Sequence, residues 1–66
     1  MQLVVNGRPT DVEPGTTLPQ LLESLGLRVG SVVVEHNGTA LLRSELAGVQ
    51  LADGDRLELV RAVAGG

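Results

Sequence analysis

The sequence predicts an α+β fold in which one main helix packs on one face of a mixed sheet of four to five strands. Segments of alternating hydrophobicity lie near both ends of the 66-residue chain, and such alternation is typical of strands. One stripe of leucines at helical spacing lies between them. Asn-Gly, Pro-Gly and Asp-Gly pairs separate the segments, as expected of tight turns.

The first two strands are predicted to form a hairpin. QLVVN alternates between two faces, which leaves Val4 on the outer one. Asn6-Gly7 suits the positive backbone angles of a tight hairpin turn. The return strand is expected from about Arg8 to Glu13, with Val12 pointing inward, and Pro14-Gly15 ends it.

The helix is predicted from its ends as well as from its apolar face. Thr17 and Gln20 have the spacing of a capping box, and Pro19 lies in the first turn, where its missing N–H is not needed. Gly26 lies where a left-handed residue would end the helix. The apolar stripe repeats at i, i+3, i+4 and i+7 and consists of Leu18, Leu21, Leu22 and Leu25.

Two further strands are predicted after the helix. SVVVEHNG indicates a strand that ends in a turn at Asn37-Gly38, with Val33 and Glu35 facing away from the core. LLRSEL is ambiguous, and we interpret it as a short edge strand followed by a helical turn. Asp53-Gly54 then turns the chain into RLELV, whose two leucines point inward while Val60 faces out.

The order of these elements is hairpin, helix, strand, irregular crossing, strand. If the first and last strands are adjacent and parallel, this is the β-grasp arrangement of ubiquitin. Parallel neighbours need a long connection, which the chain between Glu13 and Arg56 supplies. We expect residues 1–61 to form the β-grasp domain and residues 62–66 to be a flexible C-terminal tail.

The composition excludes several functional classes. A net charge of −3 and the absence of aromatic residues argue against nucleic-acid binding. There is no Cys, and His36, the only histidine, cannot hold a metal alone, so we expect no metal site and interpret His36 as a structural strand-end residue. No apolar run exceeds three residues, so we expect no membrane span and a cytoplasmic protein. We find no enzyme active site.

The last residues, AVAGG, carry the strongest functional signal. Two terminal glycines occur by chance roughly once in two hundred chains. A frayed end is the simplest interpretation, but Ala, Val and Ala are small and apolar, as suits an arm that docks into another protein. Glycine also lets a backbone pass through a narrow channel. We predict Gly66 as the reactive residue, and a docking tail that consists of Arg61, Ala62, Val63, Ala64 and Gly65.

The whole chain resembles the ubiquitin-like sulfur-carrier proteins, most closely the thiamine-biosynthesis carriers of the ThiS family. The resemblance rests on VNG after the first strand, TTLPQLLESLGL as the helix, VVVEHNG as the third strand and LADGDRLELVRAVAGG as the turn, last strand and tail. The tail is the specific part. Arg43 also falls where the family tends to have an arginine.

This resemblance implies a function. An adenylating, E1-like activating enzyme would use ATP to convert the Gly66 carboxylate to an acyl-adenylate. A persulfide donor would then replace AMP with sulfur, and the Gly66 thiocarboxylate would give that sulfur to thiazole synthase. The chain would be a co-substrate that binds no cofactor itself. Val60, Val4 and Val33 are candidates for the docking surface, or else are ordinary strand residues.

Three alternatives stay open. The small subunit of molybdopterin synthase shares the fold and the Gly-Gly end, although those proteins tend to be longer and to contain aromatic residues. A ubiquitin-like modifier would form amide bonds to lysines of other proteins. An interaction module with an inert tail would tolerate deletion of Gly65 and Gly66.

Overall fold

The computed structural model describes residues 1–61 and has a five-stranded sheet with the spatial order β2-β1-β5-β3-β4. The predictions for residues 62–66 lie outside this part of the chain. The strands are β1 (Gln2–Val5), β2 (Arg8–Asp11), β3 (Val32–His36), β4 (Thr39–Leu41) and β5 (Arg56–Arg61). The helix α1 spans Leu18–Ser24, and two 3-10 helices span Val29–Ser31 and Arg43–Gly48.

The sheet is mixed because the central strand β5 is parallel to its neighbour β1 and antiparallel to its other neighbour β3. β1 pairs with β5 in parallel register, with Val4 opposite Arg56 and Val5 opposite Leu57. The pairs β1–β2, β3–β4 and β3–β5 are antiparallel. The first and last strands are therefore adjacent and parallel, as the sequence predicts.

The helix begins with the predicted capping box. The Gln20 N–H donates to Thr17 Oγ1 at 3.2 Å, and the Thr17 N–H donates to Gln20 Oε1 at 3.0 Å, so two free N–H groups of the first turn are satisfied. Gly26 follows the helix with φ of 75°. The predicted stripe is wrong at its last member, because Leu25 is the C-cap residue and its side chain is 45% exposed.

The core lies between α1 and one face of the sheet, which we call the inner face. Its buried side chains come from β1, α1, β3, the second 3-10 helix and β5. They are Leu3, Val5, Leu18, Leu21, Leu22, Val32, Val34, Leu46 and Leu57. All are aliphatic, in agreement with a chain that has no aromatic residue. The opposite, outer face of the sheet has no helix against it among the described residues.

Two strand boundaries differ from the predictions. β2 ends at Asp11 rather than Glu13, although Val12 still packs against the core. The edge strand β4 starts at Thr39, two residues before LLRSEL, and ends at Leu41; a 3-10 helix begins at Arg43, so the predicted order of edge strand and helical turn is present. β4 has only three residues, and hydrophobic periodicity cannot locate so short a strand.

Candidate functional site at the end of the last strand

The candidate site is the outgoing end of β5, because the predicted reactive residue follows it in the chain. Arg61 is exposed at the end of this strand and is the last residue that the structure describes. The predicted tail and sulfur-carrying residues, which are Ala62, Val63, Ala64, Gly65 and Gly66, lie outside the described part. Their roles therefore stay predictions. The described part of the site is the end of β5 and the outer face of the sheet beside it.

Two of the three predicted docking valines lie together on the outer face. Val33 of β3 is directly opposite Val60 of β5, and their side chains are 46% and 55% exposed. Val4 also faces outward, but it is partly buried and lies opposite Pro9 and Arg56. Its partner Arg56 is four positions before Val60, about 13 Å along the strand. The structure thus brings Val33 and Val60 together and leaves Val4 apart from them.

A pair of acidic side chains lies next to the valine pair. Glu35 and Glu58 are opposite each other in the β3–β5 register, and both are exposed on the outer face. Like charges in this position destabilise a sheet by a few tenths of a kcal/mol to about 1 kcal/mol. The outer face therefore presents an apolar cross-strand pair, Val33–Val60, beside the negatively charged pair Glu35–Glu58.

The side chain of Asn6 is hydrogen-bonded to the same end of β5. Asn6 Oδ1 accepts from the Leu59 N–H at 2.7 Å, and Asn6 Nδ2 donates to the Leu59 carbonyl at 3.3 Å. We call these two hydrogen bonds the Asn6 clamp. Residues 6 and 59 are far apart in the sequence, and only the parallel pairing of β1 with β5 brings them together.

The opposite end of β5 is held by a network centred on Asp55, which we call the Asp55 network. Asp55 Oδ2 lies 2.8 Å from His36 Nε2 and accepts from the Ala52 N–H at 2.9 Å, and Asp55 Oδ1 accepts from Asn37 Nδ2 at 3.1 Å. Partial burial favours the neutral acid, but the hydrogen bonds from His36, Ala52 and Asn37 outweigh it and hold the pKa of Asp55 below its ordinary value.

No local pattern predicts the contact of His36 with Asp55, because the two residues are 19 positions apart in the chain. The contact does fit the interpretation of His36 as a structural residue, since its side chain is mostly buried and joins β3 to the turn before β5. Arg43 also makes a packing contact, because its guanidinium lies against Gly30, where an added Cβ would be 3.2 Å from Nη1.

Residues 1–61 contain neither a metal-binding cluster nor a membrane-spanning helix. Within that range, no group of three or more His, Cys, Asp or Glu side chains is arranged to hold a metal ion. None of the helices there has the length and apolar character needed to cross a membrane. The end of β5 therefore remains the place in the described structure to which the sequence assigns a function.

Comparison with known proteins gives consistent matches along the whole chain. The model of the ThiS family matches residues 3–66. The sulfur carrier protein ThiS of Thermus thermophilus is 39% identical over 62 residues, which are 94% of this chain and 95% of that protein. The crystal structure of the thiamine biosynthesis protein ThiS from Geobacter metallireducens superposes with a TM-score of 0.81 at 34% identity, and the match covers 100% of both chains.

A second kind of relative is much longer. Thiazole synthases of Magnetococcus marinus and Paramagnetospirillum magneticum are each 38% identical to this chain over all 66 residues. The chain spans only 20% of the length of each of these two proteins. In both, therefore, a segment similar to the whole chain is part of a protein named thiazole synthase.

Proposed function

The chain belongs to the ThiS family, and on that premise we propose that it carries sulfur on Gly66 for the biosynthesis of the thiazole of thiamine. One observation carries the proposal: the family match extends through Gly66 and includes the Gly-Gly pair. A relative of nearly the same length is named a sulfur carrier protein. The β-grasp fold supports the proposal because β5, whose last residues precede the predicted tail, is the central strand of the sheet and carries the exposed Val60.

The proposed chemistry takes place at the carboxyl group of Gly66. An adenylating enzyme transfers AMP from ATP to the carboxylate, which releases pyrophosphate and activates the acyl group. The terminal sulfur of a persulfide displaces AMP, and a thiol then cleaves the S–S bond, so that the sulfur stays on Gly66 as a thiocarboxylate. The thiocarboxylate is an ionised, soft nucleophile, and its tether raises its effective concentration at the acceptor.

Thiazole synthase is the proposed acceptor of this sulfur. The two longer relatives support the assignment, because each contains a segment similar to this chain within a protein named thiazole synthase. In that interpretation the chain is a co-substrate. It uses no cofactor of its own, and ATP is bound by the activating enzyme.

The Val33–Val60 pair is the proposed docking surface for the activating enzyme. Both side chains of the pair are exposed. Val60 lies in β5, one residue before Arg61, the last described residue before the segment that ends in Gly66. The neighbouring Glu35–Glu58 pair favours a partner surface with a basic side chain beside an apolar one. Val4 is excluded from the centre of this surface by its partial burial and its distance along the sheet.

The proposed function is tested by asking which synthase takes the sulfur. The 66-residue chain is loaded by an activating enzyme of the carrier family and then mixed separately with thiazole synthase and with the large subunit of molybdopterin synthase. We expect the loaded mass to revert to the unmodified mass only with thiazole synthase and its carbonyl substrate. Reversion only with the molybdopterin enzyme would reject the thiamine assignment. A stable product of higher mass on other proteins would indicate a modifier instead.

A further inference from the structure

We propose that Asn6 is a positioning residue for sulfur loading: its side chain holds in place the end of β5, from which the chain continues toward Gly66. This inference rests on the proposed function, since it concerns how Gly66 reaches the activating enzyme. Asn6 itself touches no reacting atom. It acts through Leu59, whose N–H donates to Asn6 Oδ1 and whose carbonyl accepts from Asn6 Nδ2.

The Asn6 side chain takes the place of backbone groups beside Leu59, because β1 ends at Val5. β1 holds the first part of β5 through the Val4 N–H to the Asp55 carbonyl at 2.9 Å and the Asn6 N–H to the Leu57 carbonyl at 2.8 Å. At Asn6 and Gly7 the chain turns away into β2, with φ of 49° and 79°. The Asn6 amide then pairs with Leu59, as the next peptide of a parallel strand would do.

Among the described residues, the clamp contains the last hydrogen bonds on the β1 side of β5. On the other side, β3 continues to the end, with Val33 opposite Val60 and Val32 opposite Arg61. Without the clamp, the last residues of β5 would be held by β3 alone. A strand held along one edge opens more readily than one held along both, because fewer hydrogen bonds oppose its local unfolding.

The position of Leu59 makes this opening relevant to Gly66. Five residues follow Arg61 in the sequence, and a chain of that length spans at most about 18 Å. The Gly66 carboxylate therefore reaches a fixed active site only when β5 ends at the right place and points the right way. A misplacement of about 1 Å in such an arrangement can reduce a rate a hundredfold.

A second Asn-Gly turn in the same protein provides a matched control. Asn37 has φ of 50° and is followed by Gly38 at 86°, so its backbone matches that of Asn6 and Gly7. Its Oδ1 accepts from the Arg56 N–H at 2.8 Å, and its own N–H donates to the Arg56 carbonyl at 2.8 Å. Asn37 thus holds β5 at its start, whereas Asn6 holds it near its end.

Three variants separate positioning from stability. Asn6→Gly keeps the left-handed backbone accessible and removes both hydrogen bonds to Leu59. Asn6→Asp keeps an acceptor for the Leu59 N–H but loses the donor to its carbonyl, and aspartate also tolerates a positive φ. Asn37→Gly removes the equivalent amide at the other end of β5. All three are assayed for loading by the activating enzyme, with the concentration of the carrier varied.

The expected result is a split between kcat and KM. We expect Asn6→Gly to lower kcat by about tenfold, because loss of two hydrogen bonds shifts the end of β5 toward the open state. The KM for the carrier changes by less than about twofold, because the Val33–Val60 surface still docks. Asn6→Asp falls between the wild type and Asn6→Gly. Asn37→Gly loads at the wild-type kcat, although it loses at least as much stability.

Amide hydrogen exchange on the free protein completes the test, since it does not depend on sulfur chemistry. We expect Asn6→Gly to reduce protection at Leu59 and at Val60, which pairs with Val33 of β3, and to leave Val34 unchanged. Equal kcat losses in Asn6→Gly and Asn37→Gly, or unchanged protection at Leu59, would overturn the positioning role. A wild-type chain that is never loaded would reject the proposed function, and the role of Asn6 in loading with it, whereas the exchange data would still decide whether the clamp holds β5.

Discussion

The two halves of β5 differ in what surrounds them, although they belong to one six-residue strand. The first half lies between β1 and β3, contains the fully buried Leu57, and begins beside the Asp55 network. The second half has lost β1 as a backbone neighbour, carries the exposed Val60, and is held on that side by the Asn6 clamp.

This difference separates the residues that stabilise the domain from those proposed to act with partners. Leu57 contributes to stability because its side chain is removed from water, whereas Val60 contributes little because more than half of its side chain is exposed. An exposed valine beside the start of the tail is, however, available to a partner. The predictions below test whether stability and sulfur loading divide along the strand in this way.

The largest effect is expected in the first half of β5. Leu57→Ala leaves a cavity in the core and should lower the free energy of unfolding by about 2–5 kcal/mol. That loss is severe for a domain of this size, which buries a limited core. Val60→Ala, three positions along the strand and on the opposite face, should lower the free energy of unfolding by less than about 0.5 kcal/mol. Urea titration of both variants checks the contrast, which equal losses would contradict.

The next effect is expected on the outer face of the second half. The double variant Val33→Ser/Val60→Ser removes the exposed apolar pair and should raise the KM of the carrier for its activating enzyme by about tenfold. Leu25→Ser is the matched control, because Leu25 is as exposed as Val33 but lies at the end of α1. Loading assays with varied carrier concentration measure both. A larger effect of Leu25→Ser would place the docking surface elsewhere.

The smallest effect concerns the Asp55 network. Asp55→Asn removes the charge that faces His36 and should lower the free energy of unfolding by about 1 kcal/mol at pH 7. Since the folded state lowers the pKa of Asp55, its ionised form stabilises the fold above the unfolded-state pKa of about 3.9. This contribution is lost as the pH falls through the lower, folded-state pKa.

The difference between wild type and Asp55→Asn should therefore shrink as the pH falls below the unfolded-state pKa of about 3.9 and vanish once Asp55 is protonated in both states. Urea titrations at several pH values measure it, and a difference that grows toward low pH would contradict this account. Sulfur loading at pH 7 should be unchanged, because the network lies at the start of β5.

The elements that the sequence predicted correctly are those with local signals. The capping box of Thr17 and Gln20 and the turn at Asn37-Gly38 depend on neighbouring residues, and each is present in the structure. Alternation along β3 and β5 also assigned Val33 and Val60 to the outer face. The alternation did not predict that Val33 lies opposite Val60, because the register between two distant strands depends on the tertiary structure.

The contacts that the sequence did not predict are all between distant residues. Asn6 and Leu59 meet only because β1 and β5 are adjacent, and Asp55 meets His36 only across the β3–β5 register. The exposure of Leu25 has a different cause: the helix ends one residue before it, and periodicity does not locate an element's end. The predicted roles of Gly65 and Gly66 concern a segment that the structure does not describe.

The most direct test of the central proposal is the intact mass of the protein after co-expression with an activating enzyme of the carrier family and its sulfur donor. The full 66-residue chain is compared with a chain that lacks only Gly66. We predict a mass increase equal to one oxygen replaced by one sulfur in the full chain and no increase in the shortened one. An unmodified full chain beside a demonstrably active enzyme, or the same increase in the shortened chain, would contradict sulfur carriage at Gly66.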